Sequence, residues 1–361
     1  MDAAKAACEE LGVKAVLKTN IDESEACQQA AEELADQGCG IVFADSIGHE
    51  DYMIEAAKEF TDVQFSHATG TKAHTEGLDN YHNAFASIYE GRYLAGVAAG
   101  LKLNEMIADG TITEDKAHMG YVGAFTYAEV ISGYTSFYLG AKSVCPSVTM
   151  DVTFTGSWYD QSAEHEAAAR LIDEYGCVLI SQHADSMGAP SACEERNVPN
   201  VSYNGSTIDA CPNTFIVSSR IDWTPYYKYA IQAAMNGDSI DTDWTGDLST
   251  GAVLLTDINT DVAAEGTQDA SDKALKDLES GDLHVFDTST FTVTVDDKKN
   301  ANAKVDGSGV LTSYMADVDT DEAFEGDTEA VSDGYFHESE YRSAPYFDVQ
   351  IDGINLLDTQ F

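Results

Sequence analysis

The sequence has few basic residues. It contains 19 lysines and arginines against 63 aspartates and glutamates among 361 residues, so the formal net charge is −44. A nucleic-acid-binding protein needs a basic surface, and so does a protein that adheres to anionic lipid headgroups. The charge therefore argues against both partners. It favours a monomeric soluble protein that self-repulsion keeps dispersed.

Long hydrophobic runs are also missing. No stretch approaches the ~20 consecutive apolar residues that span a bilayer. The first residues, from Met1 to Lys5, lack the basic start and apolar core of an export signal. Hydrophobic residues nevertheless make up 43% of the chain, as in folded globular proteins, and the length suits two domains.

The seven cysteines form no Cys-x-x-Cys pair, and their number is odd. This usage predicts neither a zinc site nor a complete disulfide framework. Cys8 and Cys27 lie on the apolar stripes of predicted helices, where thiols pack as small hydrophobic groups. The one disulfide that the sequence leaves as a possibility is Cys193–Cys211. We expect no metal and no cofactor.

Signatures of catalysis are missing as well. The sequence has no Gly-x-Ser-x-Gly, no phosphate-binding GxxxxGK[ST], no GxGxxG and no HExxH. Ser181, His183, Asp185 and Ser186 lie within six residues, but a catalytic triad gathers its members from separate elements. These neighbours mark the end of one predicted strand and the start of one helix, where ligand contact is the usual role. We therefore predict a binding protein and not an enzyme.

What the sequence does contain is a regular alternation of short apolar runs and helical stripes. One run of elements, which includes a predicted strand at Lys14–Ile21, precedes the polar linker Asn104–Lys116, and a second run follows it. Strict alternation predicts parallel strands with crossover helices, so we predict an α/β fold of two lobes. After Gly237 the pattern weakens, and we interpret Leu283–Val295 as a run of strand.

The tail from residue 296 is rich in Asp, Thr and Gly and has few helical stripes. Asp317, Asp319 and Asp321 alternate as in a calcium-binding loop, but Glu322 occupies the place of the required glycine. We interpret this stretch as a solvated acidic loop and derive no function for the tail.

Six predicted strand ends share one chemistry. Each combines aromatic or small residues with a carboxylate, hydroxyl or imidazole: 43–46, 66–69, 123–127, 157–160, 183–186 and 219–223. Aromatic faces can sandwich a flat ring, and carboxylates accept hydrogen bonds from amino and hydroxyl groups. Core or rim packing explains any single end equally well. Together they predict a cleft between the lobes for a small, planar, polar ligand.

Several motifs follow one another in a recognisable order, at 88–96 with 99–100, 120–125, 137–146, 157–160, 181–186, 223–227 and 284–286. This order resembles the basic membrane protein (BMP) family, the substrate-binding lipoproteins of ABC transporters. The resemblance covers about residues 1–290. It is closest to the branch associated with adenine and purine nucleosides, whereas other branches take riboflavin or unidentified ligands.

The resemblance implies a type I periplasmic-binding-protein fold, with two Rossmann-like lobes of parallel sheet joined by a hinge. Lobe one would hold 1–116 plus 223–280 and lobe two 117–222 plus 281–295, followed by an acidic extension, 296–361. The implied function is that of an extracytoplasmic, lipid-anchored receptor that delivers a purine nucleoside or nucleobase to an ABC permease and its ATPase. A riboflavin or other small-ligand binding or sensing protein, and a nucleoside-processing hydrolase, stay open as alternatives.

Matching motifs also imply the residues that face the ligand. Phe125 and Trp158 would contact the faces of the ring, and His183 and Asp185 would meet ring nitrogens or amino groups. Arg92, inside the signature helix, is expected to pair with a buried carboxylate. The full implied set is Ser46, His67, Phe125, Trp158, Asp160, His183, Asp185 and Trp223.

The sequence departs from the family at its start. The family's first strand, the loop after it and the lipobox cysteine have no counterpart here. We expect the sequence to come from an incomplete gene model or a fragment. Because the missing strand lies inside the sheet of lobe one, its two neighbours would stand about twice the ~4.8 Å strand spacing apart. We expect unpaired backbone groups there.

Overall fold

The computed structural model describes residues 1–296, 299–318 and 328–358. The strands are β1 Ile41–Ala44, β2 Gln64–Ala68, β3 Tyr81–Ala86, β4 His118–Gly123, β5 Thr149–Phe154, β6 Leu179–His183, β7 Asn200–Tyr203, β8 Phe215–Ile221, β9 Asp243–Gly246, β10 Val253–Leu255, β11 Ala303–Val305, β12 Leu311–Ala316, β13 Thr328–Glu329, β14 Val331–Ser332, β15 Tyr335–Phe336 and β16 Ile354–Leu356. The helices are α1 Asp2–Leu11, α2 Glu25–Asp36, α3 Glu50–Glu59, α4 Ala73–Glu76, α5 Ile88–Ala108, α6 Ala128–Val144, α7 Gln161–Asp173, α8 Gly188–Arg196, α9 Thr224–Asn236 and α10 Thr267–Ser280. Within the described ranges no helix combines the length and apolar character that a membrane span needs.

The first sheet has the order β1-β2-β3-β9, and all its strands are parallel. Alternate side chains face opposite sides of a strand. Val42 and Phe65 accordingly pack with α2 and α3, whereas Phe43 and Ala84 pack with α9 on the other face. Both faces are covered by helices, as is typical of parallel sheets.

The second sheet has the order β10-β8-β7-β6-β4-β5-β16, and β10 runs antiparallel to β8 while the other pairs are parallel. Helices α5 and α6 pack on the face of Met119 and Tyr121. Helices α7 and α8 pack on the opposite face, against Val122 and Ile180. Two parallel sheets between helices confirm the predicted α/β class. The sequence-based lobe boundaries stay a prediction.

Helices α5 and α6 approach each other at glycines. A Cβ atom at Gly96 would lie 2.9 Å from the carbonyl carbon of Phe137 and nearer still to its oxygen. A Cβ at Gly140 would lie 2.9 Å from the carbonyl carbon of Tyr93. Backbone therefore packs directly on backbone at this contact, and side chains there are excluded.

Two predicted strand segments are wrong. Lys14–Ile21 pairs with no strand in the described chain, and β1 forms the edge of the first sheet. Leu283–Val295 contains a 3₁₀ turn, Thr288–Thr290, in which the Asp287 side chain accepts from the Ser289 N–H. A strand requires a partner with free backbone groups, and Lys14–Ile21 pairs with none among the described residues. The 3₁₀ turn interrupts Leu283–Val295, although its backbone still bonds to Gly309 and Phe336.

The C-terminal extension packs against both sheets. β16 pairs with β5 of the second sheet. The Ser343 N–H donates to Asp243 of β9 at 2.9 Å, so the extension also contacts the first sheet. The buried carboxylate of Glu338 accepts from the N–H groups of Tyr346 and Phe347. The extension is thus integrated with the body of the molecule. Asp319 and Asp321 of the predicted acidic loop lie outside the described residues.

Candidate functional site

A cavity of about 310 Å³ lies where the carboxyl ends of the two sheets meet. Its lining residues come from the ends of β3, β7 and β8, the first turn of α6 and the start of α9: Phe85, Glu129, Tyr203, Asn204, Ile221 and Trp223. Ligands of open α/β sheets bind outside the carboxyl ends of the strands. The volume lies within the roughly 300–1,000 Å³ range of small-molecule pockets.

Aromatic rings form much of the cavity wall. Phe85, the penultimate residue of β3, meets the Trp223 indole edge to face at 6.1 Å. Trp223 occupies the N-cap of α9, whose first turn holds Pro225. Tyr203 ends β7, and its ring centroid lies 4.3 Å from that of His183. The cavity therefore offers aromatic faces contributed by both sheets.

Polar groups stand beside these rings. Glu129 Oε1 lies 3.3 Å from His183 Nε2. The Asn204 side-chain amide donates to Asp185 Oδ1 at 2.8 Å, from a residue with φ of 63°. Exclusion of water by the surrounding protein raises the pKa of the Asp185 carboxyl, and the Asn204 hydrogen bond opposes that rise. The cavity can thus both donate and accept hydrogen bonds.

A buried arginine lies behind the cavity wall. Arg92 is fully buried, and its Nη2 donates to the hydroxyls of Tyr121 and Ser181 at 2.9 Å each. Its guanidinium also lies 5.5 Å from the ring of Tyr203. The expected buried carboxylate is wrong for the described part of the chain, where hydroxyls and aromatic faces surround the cation instead.

A second aromatic group lies at the ends of β4 and β5. The Phe125 ring stacks on Tyr127 at 5.2 Å and meets Trp158 edge to face at 5.2 Å. The Trp158 carbonyl accepts from the Asp185 N–H at 2.8 Å. Phe125 and Trp158 are half-buried at this edge and do not belong to the lining of the cavity.

Three of the predicted ligand residues have other partners. Asp160 is the N-cap of α7 and accepts from the N–H groups of Ser162 and Ala163. The Ser46 hydroxyl donates to Glu23. His67 is fully buried, with Nε2 2.6 Å from the Ser46 carbonyl, and burial lowers the pKa of its imidazole.

Of the eight predicted residues, Trp223 lines the cavity, and His183 and Asp185 contact residues that line it. Their roles as ligand contacts stay predictions, as do those of the other five. The sequence analysis missed Phe85, Glu129, Tyr203 and Asn204. Phe85 and Tyr203 lie at or next to the carboxyl ends of the observed β3 and β7, so exact strand ends were needed to find them. Glu129 follows the 123–127 segment by two residues.

Comparison with known families and proteins gives consistent matches. The model of the family described as "ABC transporter substrate-binding protein PnrA-like" matches residues 1–281. A purine-binding protein of Brucella abortus is 33% identical over 225 residues, which cover 62% of this chain and 60% of that protein. A putative ABC transporter glucose-binding protein of Haloferax volcanii is 32% identical over 239 residues, 66% of this chain and 57% of that protein. The chain thus spans about three fifths of the length of these relatives.

Solved structures with the same architecture include an ABC transporter solute-binding protein from Conexibacter woesei, with a TM-score of 0.61 at 24% identity over 78% of this chain and 92% of that one. An ABC transporter solute-binding protein from Aeropyrum pernix gives a TM-score of 0.65 at 15% identity over 82% and 88%. At these identities the likeness concerns the fold. It confirms the expected type I periplasmic-binding-protein fold.

Proposed function

We propose, since this chain belongs to the PnrA-like family of ABC transporter substrate-binding proteins, that it captures a purine nucleoside or nucleobase and releases it unchanged to an ABC importer. The observation that carries this proposal is the cavity with aromatic walls from both sheets and with Glu129 and Asn204 among its lining residues. The purine-binding name of the Brucella abortus relative supports the same ligand class.

The chemistry of the cavity suits a purine. A purine is flat and apolar on its faces, and stacking a base on an aromatic side chain contributes about 1–3 kcal/mol. Its edge carries amino, N–H and ring-nitrogen groups. The Glu129 carboxylate accepts from amino or ribose hydroxyl groups, and the Asn204 amide donates and accepts. The described residues thus offer partners for both the faces and the edge of the base.

Capture would proceed by closure of the two lobes. Phe85 belongs to the first sheet, whereas Tyr203 ends β7 of the second sheet and Asn204 is the next residue. A ligand that contacts both sheets binds the closed state more tightly than the open one. It therefore shifts the equilibrium toward closure by that difference in affinity. The closed form would dock on the permease outside the cytoplasm, and we propose a lipid anchor on the family pattern.

Binding without turnover is supported by how the carboxylates are held. Glu129 lies beside His183, and Asp185 accepts from Asn204, so each carboxylate already has its own partner. A nucleoside hydrolase would need two carboxylates arranged about one bond for acid and base roles. The relatives reported above are also named as binding proteins.

A sugar is the second candidate ligand, because the Haloferax volcanii relative is named as a putative glucose-binding protein. Aromatic walls with a carboxylate also fit the apolar face and hydroxyls of a pyranose. The two ligands differ in size and in the hydrogen bonds that the edge requires. Direct comparison of ligands therefore separates the candidates.

The test is calorimetric titration of the protein with adenosine, inosine, guanosine, adenine, glucose and riboflavin, with chromatography of each mixture for products. We expect a purine to bind and to be recovered intact. Tyr203→Ala and Trp223→Ala should each weaken binding by about tenfold or more, because each removes one stacking surface. Tyr159→Ala, at a side chain 66% exposed, should leave the affinity unchanged.

The contrary outcomes are distinct. If glucose binds and no purine gives heat, the ligand is a sugar and not a purine. If products form, the protein is an enzyme and not a binding protein. Phe125→Ala and Trp158→Ala examine the neighbouring aromatic group. Loss of binding in these two variants alone would move the ligand from the cavity to that group.

A further inference from the structure

Three side chains with metal-binding atoms converge at the amino ends of β4, β5 and β6, the edge of the second sheet opposite the cavity. His118 begins β4, Asp151 lies in β5, and Cys177 precedes β6. One nitrogen, oxygen or sulfur atom from each lies within 4.8 Å of the others. His118 Nε2 and Asp151 Oδ2 are 3.1 Å apart. Within the described chain these residues are the cluster whose donor atoms stand close enough to share one ion.

The strand order explains why these residues meet. β4 lies between β5 and β6, and parallel pairing aligns the amino ends of all three strands. Gly120, directly opposite Asp151 in the ladder, adds no side chain to this space. A Cβ there would lie 3.1 Å from Cys177 Sγ. The thiol therefore has room on the side toward His118 and Asp151.

Two further residues orient the donor atoms. Thr149 Oγ1 lies 2.7 Å from His118 Nδ1, so a proton on Nδ1 leaves the Nε2 lone pair free. The Asn355 side-chain amide donates to Asp151 Oδ1 at 2.9 Å, which leaves Oδ2 facing His118. Hydrogen bonds of this kind hold the ligands of protein metal sites in the productive orientation.

We infer that His118, Asp151 and Cys177 form a zinc site. Imidazole, carboxylate and thiolate are the three ligand types of Zn²⁺, which binds them at ~2.0–2.3 Å in tetrahedral geometry. Water would take the fourth position. Binding forms the zinc–sulfur bond and releases the thiol proton to solvent. Hard cations such as Ca²⁺ and Mg²⁺ prefer oxygen ligands and gain nothing from the thiol.

Occupation of the site has a structural consequence. Asn355 belongs to β16, the strand that the C-terminal extension adds beside β5. Zinc on Asp151 Oδ2 would fix the carboxylate in the orientation in which Oδ1 accepts from Asn355, and would therefore couple metal binding to the attachment of β16. Proteolysis of the extension should slow when zinc is bound.

The test uses the reduced, chelator-stripped protein and Co²⁺ as a spectroscopic substitute for Zn²⁺. We expect one Co²⁺ per chain, with a near-ultraviolet thiolate charge-transfer band and visible tetrahedral bands that Zn²⁺ abolishes. Cys177→Ser should remove the thiolate band. Cys193→Ser is the matched control, because Cys193 is also a fully buried thiol of the same core and lies outside the cluster. Asn355→Ala should weaken Zn²⁺ binding by about tenfold.

Several results overturn the inference. These are a Co²⁺ complex without a thiolate band, equal Zn²⁺ affinities of the wild-type protein and Cys177→Ser, and equal loss of the band in both cysteine variants. Each would leave a polar His118–Asp151 contact beside an inert thiol. Should Cys177→Ser fail to fold, His118→Gln at the partly exposed end of the cluster provides the same comparison. Ligand binding in the cavity is measured separately and is not expected to change.

Discussion

Replacement of Gly96 by alanine has two opposite effects on stability, a gain in helix propensity and a loss in helix packing. Alanine favours a helix interior over glycine by about 1 kcal/mol, so the isolated helix α5 would gain stability. In the protein, the new Cβ would lie 2.9 Å from the carbonyl carbon of Phe137 and closer to its oxygen. Backbone atoms cannot rotate away as a side chain can, so α5 and α6 must move apart to admit the methyl group. Overpacking of this kind costs about 1–3 kcal/mol, and more where backbone must move.

We therefore expect Gly96→Ala to lower the free energy of unfolding by about 2 kcal/mol or more, despite its better propensity. Urea unfolding followed by circular dichroism measures this directly. Gly40→Ala is the control, because a Cβ at Gly40 has no atom within 4 Å and the residue lacks a positive φ. Gly96→Ala as stable as the wild-type protein, or more stable, would show that α5 and α6 do not pack through backbone.

Three further predictions concern single side chains. Burial raises the pKa of Glu90 to about 7, whereas an unfolded glutamate has a pKa of about 4.3. Folding therefore favours the protonated carboxyl, and the protein is most stable, as far as Glu90 is concerned, below pH about 4.3. The unfolding free energy should then fall by up to about 3 kcal/mol as the pH rises to about 7. Urea unfolding at the two ends of this pH range should show a smaller fall in unfolding free energy for Glu90→Gln than for the wild type. The exposed Glu265→Gln should match the wild type. The same pH dependence in both variants would contradict the buried position of Glu90. Asp160→Ala should cost about 1 kcal/mol through loss of the α7 cap, with unchanged ligand affinity, and a lost affinity would return Asp160 to the binding site. Arg92→Lys should cost about 2 kcal/mol in the same assay, because an ammonium group cannot reproduce the planar guanidinium contacts, and no loss would show that charge alone suffices.

The sequence predicts much of the second sheet and its helices, because each element there has strong local signals. Helix α9, which packs on the first sheet, carries equally strong end signals, since Pro225 lies in its first turn and Gly237 ends it with φ of 72°. The strand at Lys14–Ile21 failed for a reason that local pattern cannot reveal. Apolar residues allow a segment to form a strand, but the rest of the sheet must supply the strand with which it pairs.

Long-range pairing also explains the missed role of the extension. β16 has three residues and pairs with β5, which is about two hundred residues earlier in the chain. So short a segment has no detectable period. The sequence analysis therefore predicted no strand in this part of the tail, whereas β16 extends the second sheet.

The candidate site was predicted in outline only. The resemblance implied Trp223, which lines the cavity, and His183 and Asp185, which contact residues that line it. It could not separate residues that line the cavity from those that cap a helix, such as Asp160, because the distinction depends on side-chain direction. The hydrogen-bond partners of Arg92 likewise come from four separate strands, β4, β6, β7 and β8, which only the folded sheet brings together.

The central claim is that the cavity holds a flat purine between the aromatic side chains that line it. A crystal structure of the protein grown with adenosine tests it most directly. The account predicts intact adenosine with its base against Tyr203 and Trp223 and its edge on Glu129 or Asn204. An adenosine bound elsewhere, or a cavity filled by the protein's own side chains at saturating adenosine, would contradict it.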